Sequence, residues 1–174
     1  MTPQIIFPLQ LVLGYVAWLL LYRAYVQPRL RSMNPMEAHR AIATLHSFRF
    51  FGLVFLIPGF VGPNLPAGFA PFAAYWDLAT GVLAMLALLA YRIRPLFLTL
   101  VASFNIVGTI DLVLDYYHAN RLGLPGIAGQ LGAAYIIPVI VVPALMITHI
   151  AAFALLLRPR REPVPARVRN GSPA

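Results

Sequence analysis

The segment from Leu96 to His118 constrains this chain most. It reads LFLTLVASFNIVGTIDLVLDYYH, and a helix of about 20 apolar residues crosses the hydrocarbon core of a bilayer. Asn105 sits near its middle, with Asp111, Asp115 and His118 toward its end. Helical spacing aligns Gly108, Asp111, Asp115 and His118 on one stripe. A carboxylate in hydrocarbon is costly, so an acid inside a span is by default a functional hypothesis.

The rest of the chain fits a membrane setting. Of its 174 residues 60% are hydrophobic and 10% charged, with mean hydropathy +0.79. Soluble domains carry about 25% charged residues, and here the apolar residues fall into runs. The chain has no cysteine, which removes disulfides, thiolate metal sites and thiol nucleophiles. All 13 basic residues are arginine, so a lysine Schiff base to retinal or pyridoxal phosphate is impossible. The net charge of +8 could suggest nucleic acid, but the arginines flank apolar runs, so nucleic-acid binding is not expected.

The pattern predicts an all-α polytopic bundle of five spans, N-out and C-in, in one domain over 1–157. The spans are placed at about 4–26, 41–62, 72–91, 96–117 and 131–157. The start, MTPQ, lacks the basic region of a secretory signal. A loop is expected from Gln27 to about Ala41, with Asn34-Pro35-Met36-Glu37 opening a helix: Asn34 as cap, Pro35 at the first position, Glu37 reaching back. The second span needs residues from Ala41 to reach membrane length, which draws His46 and Arg49 below the inner headgroups; Arg49 is expected to snorkel back to the surface or else to pair with a polar group inside the bundle. Asp77, Thr80, Gly81 and Ala84 share a stripe of the third span, and small residues let helices approach. Arg92-Ile93-Arg94-Pro95 makes the third and fourth spans antiparallel neighbours. Pro138 and Pro143 free carbonyls near Ala134 and Val139 in the fifth span, which then need partners.

Arginine placement sets the orientation. Arg23, Arg29, Arg31, Arg40, Arg49, Arg92, Arg94, Arg158, Arg160, Arg161, Arg167 and Arg169 fall on the inner side, and only Arg121 falls outside. Residues 158–174 read as a disordered, basic cytoplasmic tail, with Arg158, Arg160 and Arg161 meeting anionic lipid headgroups. The expected location is a cell membrane, the inner membrane for a bacterium, with self-association or a membrane partner open.

The expected function is a polar pocket on the outer half of spans three to five that binds or passes a small ligand or protons. Its residues are Gln10, Asp77, Asn105, Asp111, Asp115 and His149. Asp77 and Asp111 meet and share a proton if the third and fourth spans pack face to face. Aromatic neighbours place Asp77, Asp115 and His118 near the outer interface. Two other readings stand: a membrane-embedded enzyme acting on a lipid or isoprenoid through Asp111, Asp115 and His118, and a structural subunit with no chemistry of its own. No phosphate loop, zinc motif or nucleophile elbow appears. No metal or cofactor is expected. Haem between His46 and His149 is disfavoured because their depths differ and neither helix carries a paired motif.

Overall fold

A computed structural model describes residues 2–158. Among them every regular element is helical. Four helices are long and apolar enough to cross a membrane, which suggests a membrane-inserted protein: α1 (Pro3–Ser32), and, after a helix α2 (Pro35–His46), α3 (Phe69–Leu89), α4 (Arg94–Arg121) and α5 (Ile137–Leu156). The tail from residue 159, with Arg160 and Arg161, lies outside the described residues; Arg158 is exposed.

The second expected span takes a form periodicity did not suggest. α2 runs straight into a ten-residue 3₁₀-helix, Ser47–Leu56, and loop follows where a helix to residue 62 was expected. Runs of 3₁₀ beyond three or four residues are uncommon and often mark a functional hinge or strain. Asn34 caps α2 as expected, accepting the Met36 N–H at 2.9 Å. Glu37 does not reach back to the cap: it bonds the Tyr91 hydroxyl and sits 3.6 Å from Arg40.

Two other boundaries move for backbone reasons. α1 continues past residue 26 to Ser32, so the expected loop shrinks to Met33 and Asn34. A π-turn at Tyr22–Val26 accommodates Pro28, whose ring cannot follow a regular α-helical turn. The last span starts at Ile137 instead of Leu131. Leu124–Tyr135 is a 3₁₀ segment broken at Gly132, where φ is +54° and only glycine is comfortable. The Phe60 carbonyl presses on Gly132 so closely that an added Cβ would lie 2.5 Å from it.

Pro138 lies within a second π-turn, Ile137–Val141, and Pro143 follows it; the turn swings two carbonyls toward α1. Trp18 Nε1 donates to the Ile140 carbonyl at 2.8 Å. The Val139 carbonyl lies over Gly14, where a Cβ would come within 2.2 Å. Trp18 thus supplies a partner for Ile140, one residue beyond the expected Val139, whose own carbonyl rests against the Gly14 backbone.

Side chains pack into two apolar cores. One gathers Phe7, Phe55, Phe69, Leu112, Leu124 and Leu131. The other gathers Leu30, Ile42, Ala87, Phe97, Val101 and Leu155. α1, α3, α4 and α5 each contribute to both cores, as do α2 and the 3₁₀ segment taken together, and along the last four the buried polar residues other than His39 fall between the two contributions. Ile42 and Val54 bracket Arg49; Ala74 and Ala84 bracket Asp77 and Thr80; Phe104 and Leu112 bracket Asn105 and Asp111; Leu145 and Ala151 bracket His149. A polar layer therefore lies between two apolar slabs. Exposed Arg31, Arg40, Arg92, Arg94 and Arg158 adjoin the slab around Phe97, whereas Arg121 adjoins the slab around Leu124.

Candidate functional site

Arg49 is the hub of the polar layer. It lies on the 3₁₀ segment, which presents residues three apart on one line, so Gly52 follows it on the same face. Its side chain is 1% exposed. It does not snorkel to the surface as first expected; it takes the alternative of pairing inside, because two carboxylates meet it there. Nε donates to Asp77 Oδ1 at 2.6 Å, and Nη2 is 2.6 Å from the same oxygen. Nη2 also donates to Asp111 Oδ2. Nη1 donates to the Gly108 carbonyl at 3.4 Å and to His149 Nε2 at 3.3 Å. A guanidinium has five N–H donors; Arg49 makes four hydrogen bonds with them, and its Nη2 is also in ion-pair contact with Asp77.

Backbone makes the room. Three glycines stand three or four residues from the three charged groups, on the same helical faces: Gly52 by Arg49, Gly81 by Asp77, Gly108 by Asp111. A Cβ on Gly52 would lie 2.2 Å from Asp77 Oδ2. One on Gly81 would lie 3.0 Å from the Phe50 nitrogen, and one on Gly108 would meet both Arg49 Nη1 and His149 Nε2 at 2.6 Å. The small-residue stripe of α3 thus seats the 3₁₀ backbone, and Gly108 seats the guanidinium.

An imidazole pair continues the layer. Asn105 Nδ2 donates to the Val101 carbonyl at 2.7 Å, so its Oδ1 accepts from His149 Nδ1 at 2.8 Å. This network assigns the proton of His149 to Nδ1 and leaves Nε2 to accept from Arg49. Thr148 gives its hydroxyl proton to the carbonyls of Ala144 and Leu145, so His46 Nε2 donates to Thr148 Oγ1 at 3.1 Å. The His46 and His149 rings stack with centroids 4.0 Å apart, which corrects the expectation of different depths. α2 begins at Pro35, so His46 lies about 14 Å along the helix from Glu37 at 1.5 Å per residue, the same distance that separates His149 from Arg158. Haem fits no better for it: rings in contact leave no gap for a macrocycle, and both His149 nitrogens are engaged.

Three buried acceptors in the layer have no partner among the described residues: Asp111 Oδ1, Asp115 Oδ1 and His46 Nδ1. A cavity of about 30 Å³ touches Asp77, Asp115 and Tyr116 on the side of the Leu124 slab, the size of one water molecule's share of the liquid. The Tyr116 hydroxyl is 2.9 Å from that of Tyr15.

Of the residues expected to form the pocket, Asp77, Asn105, Asp111 and His149 come together, with Asp115 one turn along α4. Gln10 stands apart: it is exposed and accepts from the Tyr135 hydroxyl at 2.5 Å. Asp77, expected at an interface, is instead buried. His118 packs edge-on against Phe72 at 4.5 Å rather than against the acids. Arg49 as hub and His46 as second imidazole were missed as pocket residues; the signal was a glycine beside each charged position. Among the described residues no group of three or more histidines and acids is arranged to hold a metal.

A family model described as "Domain of unknown function (DUF8737)" matches residues 6–157. No curated protein matches the chain, and no solved structure does.

Proposed function

The chain belongs to the DUF8737 family, and we propose that it is a five-span membrane protein whose internal layer takes up and releases a proton on its outer side. One observation carries this reading: among the described residues Asp111 Oδ1 and Asp115 Oδ1 are buried without partners beside a guanidinium engaged by other acceptors. Asp77 and Asp111 together carry one more negative charge than Arg49 neutralises when both are ionised. An unpaired charge in a low-dielectric interior is expensive, and a proton bound by the carboxylates cancels it. The water-sized cavity at Asp115 and Tyr116 gives that proton a way in. The opposite slab, with Phe97, Val101 and Phe104 fully buried, holds one buried polar side chain among the described residues, His39, about 10 Å along α2 from His46 and outside its hydrogen-bond network. The layer is therefore a proton-binding site open on one side rather than a conducting path.

The five-span orientation is part of this proposal. α2 and the 3₁₀ segment together cover about 38 Å, at rises of 1.5 and 2.0 Å per residue, against a core of about 30 Å. Their contribution to both slabs supports a crossing. The arginine-rich end would then face the cytoplasm of a plasma membrane, among anionic headgroups, and the Leu124 slab would face outward.

Infrared difference spectra of the reconstituted protein across a pH titration test the proton site. A protonated-carboxyl band that grows on acidification and is lost in Asp111→Asn or Asp115→Asn is the expected result. Spectra with no such band, or a band that both variants retain, would overturn it and leave the structural-subunit reading. The enzyme reading loses support because His118 makes no hydrogen bond to either acid among the described residues.

A further inference from the structure

A second cavity opens elsewhere, between the 3₁₀ segment and α5. It measures about 170 Å³ and is walled by apolar side chains, with Gly52, Asp77 and Arg49 at its floor. Leu45, Phe48 and Phe51, at 43%, 63% and 52% exposure, stand at its rim, so it opens sideways through an apolar mouth and not toward either end of the bundle. We propose that this cleft binds a neutral, lipid-phase molecule that inserts a single ring bearing a hydroxyl, such as a phenol, with the hydroxyl donating to Asp77.

Size sets the inserted group. A buried apolar cavity of about 150 Å³ accepts one benzene ring, and this cleft is slightly larger. Polarity sets its chemistry. Water suits the site poorly, because an ordered water needs two to four polar partners, and the Arg49 N–H groups face other acceptors. Asp77 has its Oδ1 on Arg49, while no hydrogen bond reaches Oδ2 among the described residues. That oxygen rests over Gly52, which lines the cleft. The floor thus presents one free acceptor beside donors turned to other acceptors, which calls for a ligand that donates one hydrogen bond. Charge settles the remaining choice: an ammonium would lie beside the Arg49 guanidinium and an anion beside the Asp77 carboxylate, so the donor is a neutral hydroxyl. Valine and leucine side chains of α5, Val141 and Leu145, would touch the ring.

The inference does not depend on proton exchange by Asp111 and Asp115, and its test is read at one fixed pH. Full-length protein in lipid nanodiscs, carrying labelled valine and leucine methyl groups, is titrated with phenol and with toluene, the same shape without the donor, at matched membrane concentrations. Phenol is expected to shift the Val141 and Leu145 methyl signals with about 10- to 100-fold higher affinity than toluene, the worth of one hydrogen bond to a charged acceptor. Val141→Phe, which fills the cleft without touching the polar layer, is expected to abolish the phenol shift at Leu145. Equal affinity for the two probes, or a phenol response that survives Val141→Phe, would overturn the proposal. An infrared test without a carboxyl band would sink the proton site and leave this cleft standing.

Discussion

Among the described residues two places join an arginine to a carboxylate, and their surroundings could hardly differ more. At the edge of the bundle Arg40 and Glu37 lie 3.6 Å apart, one turn from each other on α2, with side chains 53% and 45% exposed. Arg40 also stacks 4.8 Å over the Tyr91 ring, and Glu37 accepts from the Tyr91 hydroxyl. Between the slabs, Arg49 meets Asp77 and Asp111 with its own side chain 1% exposed. Water can replace either member of the first pair. Nothing can replace a member of the second, whose partners come from elements 28 and 62 residues away in sequence. The same chemistry therefore fastens a surface turn in one place and decides in the other how three elements meet.

That contrast orders the expected effects. Arg49→Ala leaves two buried carboxylates without their cation and should cost about 3–5 kcal/mol, read as unfolding free energy in mixed micelles. Next comes Gly108→Ala, whose methyl would crowd Arg49 and His149 together. Overpacking of this kind costs about 1–3 kcal/mol, whereas Gly129→Ala, with nothing within 4 Å of its Cβ, should be silent by the same assay.

The smallest effect belongs to Glu37→Ala, at about 0–1 kcal/mol, and a loss as large as that of Arg49→Ala would erase the distinction between the two pairs.

Much of the fold was legible, because hydropathy and turn chemistry act locally. The long apolar runs mark α3 and α4 and the start of α1 within a few residues, Asn34-Pro35 marks the start of α2, and Arg92 to Pro95 marks the turn that brings Asp77 and Asp111 to neighbouring helices. What stayed hidden depends on backbone geometry that residue periodicity does not encode. The 3₁₀ run of Ser47–Leu56 rises faster than an α-helix and turns Arg49 inward, where the sequence alone favoured a long side chain reaching back to water. His46 stacks level with His149, because the helix that opens at Pro35 runs on into the bundle instead of a span being counted from Ala41. Gln10 looked equivalent to the acids by count from its helix end, yet α1 presents it outward to Tyr135. Proline did announce irregularity in α5, but not that Trp18 would answer it.

The claim on which these readings rest is that Arg49 lies between the slabs and is neutralised by acids from two other helices. Unfolding free energies of Arg49→Met and of the triple variant Arg49→Met/Asp77→Asn/Asp111→Asn test it most directly, because removing all the charges leaves none to strand. The single variant should be destabilised by about 3–5 kcal/mol and the triple variant should recover most of that loss. A single variant as stable as the original protein, or a triple variant that loses the sum of its parts, would contradict it.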